Sequence, residues 1–338
     1  MAIYVGDNTT IKAKCGGKLY CLHITRDDFI ESPREWDGNP TTMACFHSRY
    51  SLGDSGLAKE PDKFWQALVS DHISNDELIE AIKAGKVSGV RIVEQPNDLV
   101  DVYETTSIVV LGVKSEPSEG LEYEGICRAA VMDYVLDDLS ISNCMELMKP
   151  HAEWLPLWLY DHSGLTISCG ARVYPYNDRW DSGQVGWIVA LKDKIMAEAV
   201  TYVLDEKGKR IKVEHRHPDG SVTWSYKYEK VTEETWRSRA VELMKADVKI
   251  YDQYLRGETY AYTLYTADVK EPDKDGEDAD PDETPDWEEQ DSSGGFLGDN
   301  LLENGILEEL PTEFADAVKK GDYEEGTATL HTYSYFEF

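Results

Sequence analysis

The sequence predicts an α+β fold, a mainly antiparallel twisted sheet with one long packed helix and several short helices, and three observations carry it. Short runs of alternating or β-branched residues recur along most of the chain. One segment, Thr232 to Arg256, repeats apolar residues at helical spacing. Short stretches with helix caps lie between the strand-like runs.

In chain order, Lys18 to Thr25 (KLYCLHIT) alternates as a strand does and leads into a turn-rich stretch, Asp27 to Pro40. MACFHSRY (43–50) is a second strand, followed by the loop LGDSG (52–56). Asp62 to His72 and Ser74 to Ala84 read as helices: Ser74 is placed to cap the second, Leu78 and Ile82 share a face, and Gly85 ends it. Ser107 to Val113 (SIVVLGV) has the length and β-branching of a buried strand. Asn143 to Met148 is a helix stopped by Pro150, and Trp154 to Tyr160 an aromatic strand whose Pro156 places it at a sheet edge. Gly183 to Leu191 is a further strand, and Lys209 to Tyr228 a hairpin about His217-Pro218-Asp219-Gly220. The longest helix follows, with Trp236, Ala240, Leu243, Val248, Tyr251 and Leu255 on its stripe and Gly257 just beyond it. TYAYTLYTA (259–267) returns to strand.

Between Glu271 and Asp291 the chain holds 12 acidic residues and three Pro, a composition that solvates rather than packs. The domain organisation read from this is an α+β body over 1–270, an acidic linker or loop insertion over 271–293, and a C-terminal segment over 294–338 packing on the body.

Nine Trp and twenty Tyr exclude a disordered acidic polymer, because large residues of this number supply the burial that offsets ordering entropy. The six cysteines, Cys15, Cys21, Cys45, Cys127, Cys144 and Cys169, are scattered without paired spacing and read as reduced thiols, which points to the cytoplasm. The first residues do not read as a secretory signal, and no apolar run has the length of a membrane span.

Charge is the strongest functional signal. The 65 acidic residues against 34 Lys and Arg give a net −31, and the excess is uneven. Lys192 to Arg256 holds 14 basic and 12 acidic side chains, whereas Gly257 to Phe338 holds 24 acidic and 4 basic. Such a field repels nucleic acid and anionic membrane and attracts proteins with cationic grooves. The expected partner is a basic protein, itself nucleic-acid-binding, with no direct nucleic acid or membrane contact. The expected contact residues are Asp273, Asp275, Glu277, Asp278, Asp280, Asp282, Glu283, Asp286, Glu288 and Glu289, with Glu308, Glu309, Glu324 and Glu325. The bland alternative is an ordinary solvating surface.

Motif chemistry is weaker. Asp161, His162 and Ser163 are adjacent on extended chain and so point to opposite faces, which disfavours a triad made of these three. His47, His162 and Asp181 are candidates for a composite hydrolytic or metal-assisted pocket, or for a nucleotide-signal sponge; the competing reading makes AspHisSerGly and AspSerGly turns that hydrogen-bond to backbone. Arg34 within Glu31 to Asp37 is either a structural cation or a phosphate ligand. Asp273 begins a calcium-loop-like run, but Asp278 and Thr284 stand where Gly and a bidentate Glu are needed. Neither a dinucleotide fingerprint nor a P-loop is present, and no metal or other cofactor is expected.

Four stretches together carry a resemblance: ESPREWD (31–37), CFHSRYSLGD (45–54), Leu155 to Gly186 with LPLWLYDHSGLTIS and then WDSGQVG, and QDSSGGFLGDN (290–300). Their order and spacing resemble a family of uncharacterised bacteriophage and mobile-element proteins. The chain departs from that pattern at Gly38, Ser48 and Ser293, where the family tends to carry Asn, Arg and Cys. The resemblance implies an accessory protein acting in the cytoplasm of a bacterial host. Joined to the charge, it suggests an inhibitor that mimics DNA and blocks a host restriction or CRISPR nuclease, rather than an enzyme.

Overall fold

A computed structural model describes residues 2–95, 107–112, 124–170, 180–203, 210–216, 222–269 and 285–327. The fold is α+β. In chain order it runs β1 (Thr9–Cys15), β2 (Lys18–Arg26), β3 (Thr42–Cys45), α1 (Pro61–His72), α2 (Asn75–Lys83), β4 (Val90–Gln95), β5 (Ser107–Gly112), β6 (Glu124–Cys127), α3 (Val131–Val135) and α4 (Ile141–Met148). It continues with β7 (Ala152–Asp161), β8 (Leu165–Cys169), β9 (Ser182–Leu191), α5 (Lys192–Glu198), β10 (Val200–Tyr202), β11 (Lys212–Arg216), β12 (Val222–Tyr226), β13 (Tyr228–Lys230), α6 (Trp236–Leu255), β14 (Thr259–Asp268), β15 (Glu288–Leu297), α7 (Ile306–Glu309), α8 (Thr312–Lys320) and β16 (Glu324–Thr327). The sheets are ordered β15-β14-β2-β1-β16, β3-β9-β7-β8 and β4-β5-β6, with two-stranded pairs β10-β13 and β11-β12.

Two compact units divide the chain. Unit 1 takes residues 1–36, 160–167 and 248–338, and unit 2 takes 37–159 and 168–247.

Unit 1 is built on the five-stranded antiparallel sheet. Gly16 and Gly17, both at positive φ, turn β1 into β2 as a two-residue hairpin loop requires. Alternation puts Ile11, Leu22, Ile24, Tyr260 and Leu264 into the core, where α8 adds Phe314, Ala317 and Val318 at helical spacing. Tyr20 stacks on Phe314 with ring centroids 5.3 Å apart. Ile306, Leu307 and Leu310 belong to the same core, so the segment after residue 294 packs with the N-terminal hairpin. The stretch read as an acidic linker becomes strand by Glu288, where β15 pairs with β14.

Unit 2 has a core around the fully buried Trp65, whose indole meets Phe64, Trp154 and Trp187 edge-on. Ser74 caps α2 reciprocally with Glu77, as the sequence predicts. Gln66 in α1 donates to the carbonyls of Asp137 and Leu139, and Asn143 in α4 ties down Ser88, so buried amides satisfy loop backbone. Pro156 corrects its expectation: β7 lies between β9 and β8, an interior position. Its carbonyl accepts from the N–H of Gly170, one residue past the end of β8, so the missing proline N–H falls where the neighbouring strand runs out.

Candidate functional site

Asp273, Asp275, Glu277, Asp278, Asp280, Asp282 and Glu283 lie outside the described residues. Asp286, Glu288 and Glu289 are exposed at the start of β15, and Glu324 and Glu325 are exposed on β16. β15 and β16 are the two outer strands of the unit 1 sheet. With strands spaced ~4.8 Å apart, four spacings put these two lines of carboxylates about 19 Å from each other. Glu308 and Glu309 are exposed on α7.

Local electrostatics show how closely some of these charges gather. Tyr262 donates its hydroxyl to Asp291 at 2.7 Å. Burial, that hydrogen bond, and the charges of Asp291 and Glu309 together hold the Tyr262 hydroxyl well above its ordinary pKa. At the other edge Glu324 is paired in register with Lys12, whose ammonium is shifted down by burial and partly restored by the charges of Cys21 and Glu324. Tyr20, desolvated and donating to Glu313 at 2.9 Å, is pushed up to about 12.

Several unit 1 cations are engaged by carboxylates. Arg26 meets Asp7 at 3.0 Å, Arg256 meets Glu258 at 2.6 Å and Asp252 at 3.7 Å, and Lys249 meets Glu303 at 3.4 Å. Asp252 also accepts the N–H of Ile167 at 2.7 Å; burial still holds it above its ordinary value, against the pull of that bond and of Arg256. Within the unit's boundaries the sequence has 31 Asp and Glu against 11 Lys and Arg, a net −20 over 135 residues.

The histidine candidates divide differently. His47 and Asp181 belong to unit 2, His162 to unit 1. His47 Nδ1 accepts the backbone N–H groups of Arg49 and Tyr50 at 3.2 and 3.3 Å, and its ring stacks on Tyr50 with centroids 4.9 Å apart. An acceptor Nδ1 places any proton of the neutral ring on Nε2. His162, Ser163 and Gly164 connect β7, which ends at Asp161, to β8, with Ser163 and Gly164 at positive φ as a tight reversal requires. Among the described residues no group of three or more His, Cys, Asp or Glu is placed to hold a metal ion.

Residues of the quoted motifs lie at close approaches between strands and loops. Gly186 of WDSGQVG faces Cys45 of CFHSRYSLGD across the β3-β9 pair, and a Cβ at Gly186 would stand 1.8 Å from the Ala44 carbonyl oxygen. Phe46 donates its N–H to Val185 at 2.7 Å and packs edge-on against Trp187. Asp54 closes the same loop by accepting the Met43 N–H at 3.0 Å, while Gly53, at positive φ, passes so close to the Met43 carbonyl that a Cβ would lie 2.4 Å from it. Arg34 is buried beside the Ser32 cap of a 3-10 turn, which favours the structural reading over a solvent-borne phosphate. In QDSSGGFLGDN, Gly295 donates to Asp27 at 2.9 Å, and Asn300 accepts from Ile3 and Leu302.

One exposed group lies outside the sequence-predicted site residues. Val222, Trp224 and Tyr226 share a face of the β11-β12 pair with Lys212, Glu214 and Arg216, because those residues are register partners. Trp224 is 60% exposed and Tyr228 61%. The alternation of aromatic and cationic residues over 210–230 was the available signal.

No protein-family model matches the chain, and neither curated proteins nor solved structures give a match.

Proposed function

We propose that the chain is an accessory protein of a phage or mobile element that binds a cationic, nucleic-acid-processing defence protein of the bacterial host and occupies its nucleic-acid groove. The single observation behind this reading is the exposed carboxylates along both outer strands of one ordered sheet, in a unit of net charge −20. Proteins that grip DNA do so with Lys and Arg aimed at two lines of phosphate. Glu288 and Glu289 on one edge, with Glu324 and Glu325 on the other, offer two separated anionic lines on a fixed scaffold. A restriction or CRISPR nuclease has the required cationic groove. Association is expected to be fast and strongly salt-dependent.

The test is capture from host lysate with the purified chain, comparing the native sequence with Glu288→Gln, Glu289→Gln, Glu324→Gln and Glu325→Gln combined. The reading expects a nucleic-acid-processing partner that is lost at high salt and lost from the variant. Capture that survives both changes, or no partner at all, sinks it.

A further inference from the structure

Unit 2 carries a two-stranded ribbon whose second strand is an unguarded edge. β11 and β12 pair from Lys212↔Tyr226 to Arg216↔Val222. Lys227 donates its N–H to the Ile211 carbonyl at 2.8 Å and so continues the same register. Among the described residues, β11 is the only strand beside β12. Isolated two-stranded ribbons are marginal in water without a third strand or a packing face. Here every β12 residue is exposed, with Val222 47% and Trp224 60% open.

The open edge of β12 differs in chemistry from other exposed outer strands. Edges that stay single carry charge, proline or a bulge against pairing with another chain. β15 begins with Glu288 and Glu289, β16 with Glu324 and Glu325, β11 carries Lys212, Glu214 and Arg216, and β13 carries Glu229 and Lys230. Residues 222–226, VTWSY, contain no charge, no proline and no glycine, which leaves nothing to oppose an added strand.

The direction of the backbone groups follows from the register. In an antiparallel pair, residues whose N–H and C=O face the neighbouring strand alternate with residues whose groups face away. Lys227 faces β11, so Ser225 and Thr223 do as well, while Val222, Trp224 and Tyr226 turn their backbone groups to the open side. Trp224 is the centre of that set. A second β12 laid antiparallel about a twofold axis at Trp224 sets Trp224 opposite itself, Val222 opposite Tyr226 and Thr223 opposite Ser225. Aromatic pairs, aromatic with β-branched pairs and hydroxyl pairs are the cross-strand neighbours that stabilise a sheet.

Charge favours the same arrangement. Segment 210–230 holds five Lys and Arg against three Asp and Glu, in a chain of net −31. Two copies repel through their acidic surfaces, and least where ribbon meets ribbon.

We propose that β12 of one copy pairs antiparallel with β12 of a second copy, making a four-stranded sheet centred on Trp224. Trp224 of each copy donates its N–H to the Trp224 carbonyl of the other, and the two indoles pack beside Tyr226 and Val222 on one face of the new sheet. The contact closes at two chains, because the charged β11 strands become its outer edges. One strand pair is a small interface, so the dimer is weak and concentration-dependent. The inference stands independently of the host-target reading, since it needs only the purified chain.

The experiment is sedimentation velocity on the full chain over a range of concentrations, with the variants Trp224→Lys and Trp224→Glu. Each variant alone sets like charges against each other across the axis and is expected to dimerise at least about tenfold more weakly than the native chain. An equimolar mixture, with one component fluorescently labelled, is expected to pair more tightly than either variant pairs with itself, since the axis then joins opposite charges. Opposite substitutions at one position weaken alone and recover together where that position meets its own copy. Recovery also shows that both variants are folded. Added salt should leave the native dimer unchanged or tighter, by screening the acidic surfaces. A native chain that stays monomeric at every concentration, a dimer that either variant leaves intact, a dimer dissolved by salt, or a mixture no tighter than its components overturns the proposal. So does Trp224-dependent binding of a fluorescent single-stranded oligonucleotide by a chain that stays monomeric.

Discussion

Unit 1 and unit 2 solve the same problem, covering a sheet, with surfaces of different charge density. Unit 1 has net −20 over 135 residues, and unit 2 has 34 Asp and Glu against 23 Lys and Arg, net −11 over 203. Unit 1 buries aliphatic and tyrosyl residues around Phe314 and leaves its sheet edges to carboxylates. Unit 2 buries an indole cluster at Trp65 and exposes aromatics at Tyr134 and Trp180 as well as on its cationic ribbon, at Trp224, Tyr226 and Tyr228. The acidic excess is thus denser in unit 1, and the cationic exception is a local feature of the unit 2 ribbon. Two glycines of the quoted motifs mark close approaches in both units, Gly186 against the Ala44 backbone and Gly294 against the Asp27 carboxylate.

The sharpest way to break this contrast is Gly186→Ala. A methyl 1.8 Å from the Ala44 carbonyl oxygen cannot be absorbed by rotating a side chain, because the obstacle is backbone. Separating β3 from β9 should cost roughly 4 kcal/mol or more, the range reserved for the severest packing defects. Gly183→Ala, three residues away with open space at its Cβ, should cost under about 1 kcal/mol. Denaturant titration of the pair checks it, and equal losses would remove the claim that Gly186 marks a close approach.

Phe314→Ala should follow at about 3–5 kcal/mol, the usual range for a truncated buried phenyl group. Amide hydrogen exchange should show the loss in β1, β2 and β14, whose residues share its core. Protection lost in α1 and α4 instead would mean that the two cores do not act separately.

How much of this was legible in the sequence follows from the range over which each signal acts. The α2 cap, β2, β14 and the long helix are local signals and were read correctly in kind, with boundaries shifted by a few residues. Ser74→Ala should cost ~1 kcal/mol and confirm that the cap contributes in the fold as well as in the pattern. Thr9–Cys15 was missed as a strand, although Gly16-Gly17 before Lys18 is a strong hairpin signal. Pro156 misled because proline reports a missing donor, and only the end of β8 shows that no donor is needed there. The assignment of residues 1–36 and 248–338 to one unit could not be read at all, since strand pairing over more than two hundred residues leaves no local trace. Of the candidate site, the acidic excess was legible, but its placement on opposite sheet edges was not.

The smallest expected effect is the most direct test of the charge contrast. In unit 1, burial raises Asp252 and Glu258 above their ordinary values, so folding favours their protonated forms. A carboxyl group raised in the folded state opposes stability at neutral pH, and that cost is relieved as pH falls through the folded pKa towards the unfolded one. In unit 2, Glu77 is held below its ordinary value by the N–H of Ser74, then by the Ser74 hydroxyl and His151. Its contribution is full above the unfolded pKa and is lost as pH falls through the folded pKa. Acidification from neutral towards the ordinary carboxylate range should therefore strengthen unit 1 relative to unit 2, and added salt at neutral pH should act in the same direction by screening the larger self-repulsion. Each shift should stay below about 1 kcal/mol, since Glu77 is half-exposed and screened by solvent, and the charge of Arg256 offsets part of the burial at Asp252 and Glu258. Hydrogen exchange resolved along β1, β2 and β14 against α1 and α2 reads both responses. If acid and salt loosen the five-stranded sheet first, its carboxylates are held by attraction to cations rather than crowded against one another, and the anionic unit loses its reason to seek a cationic partner.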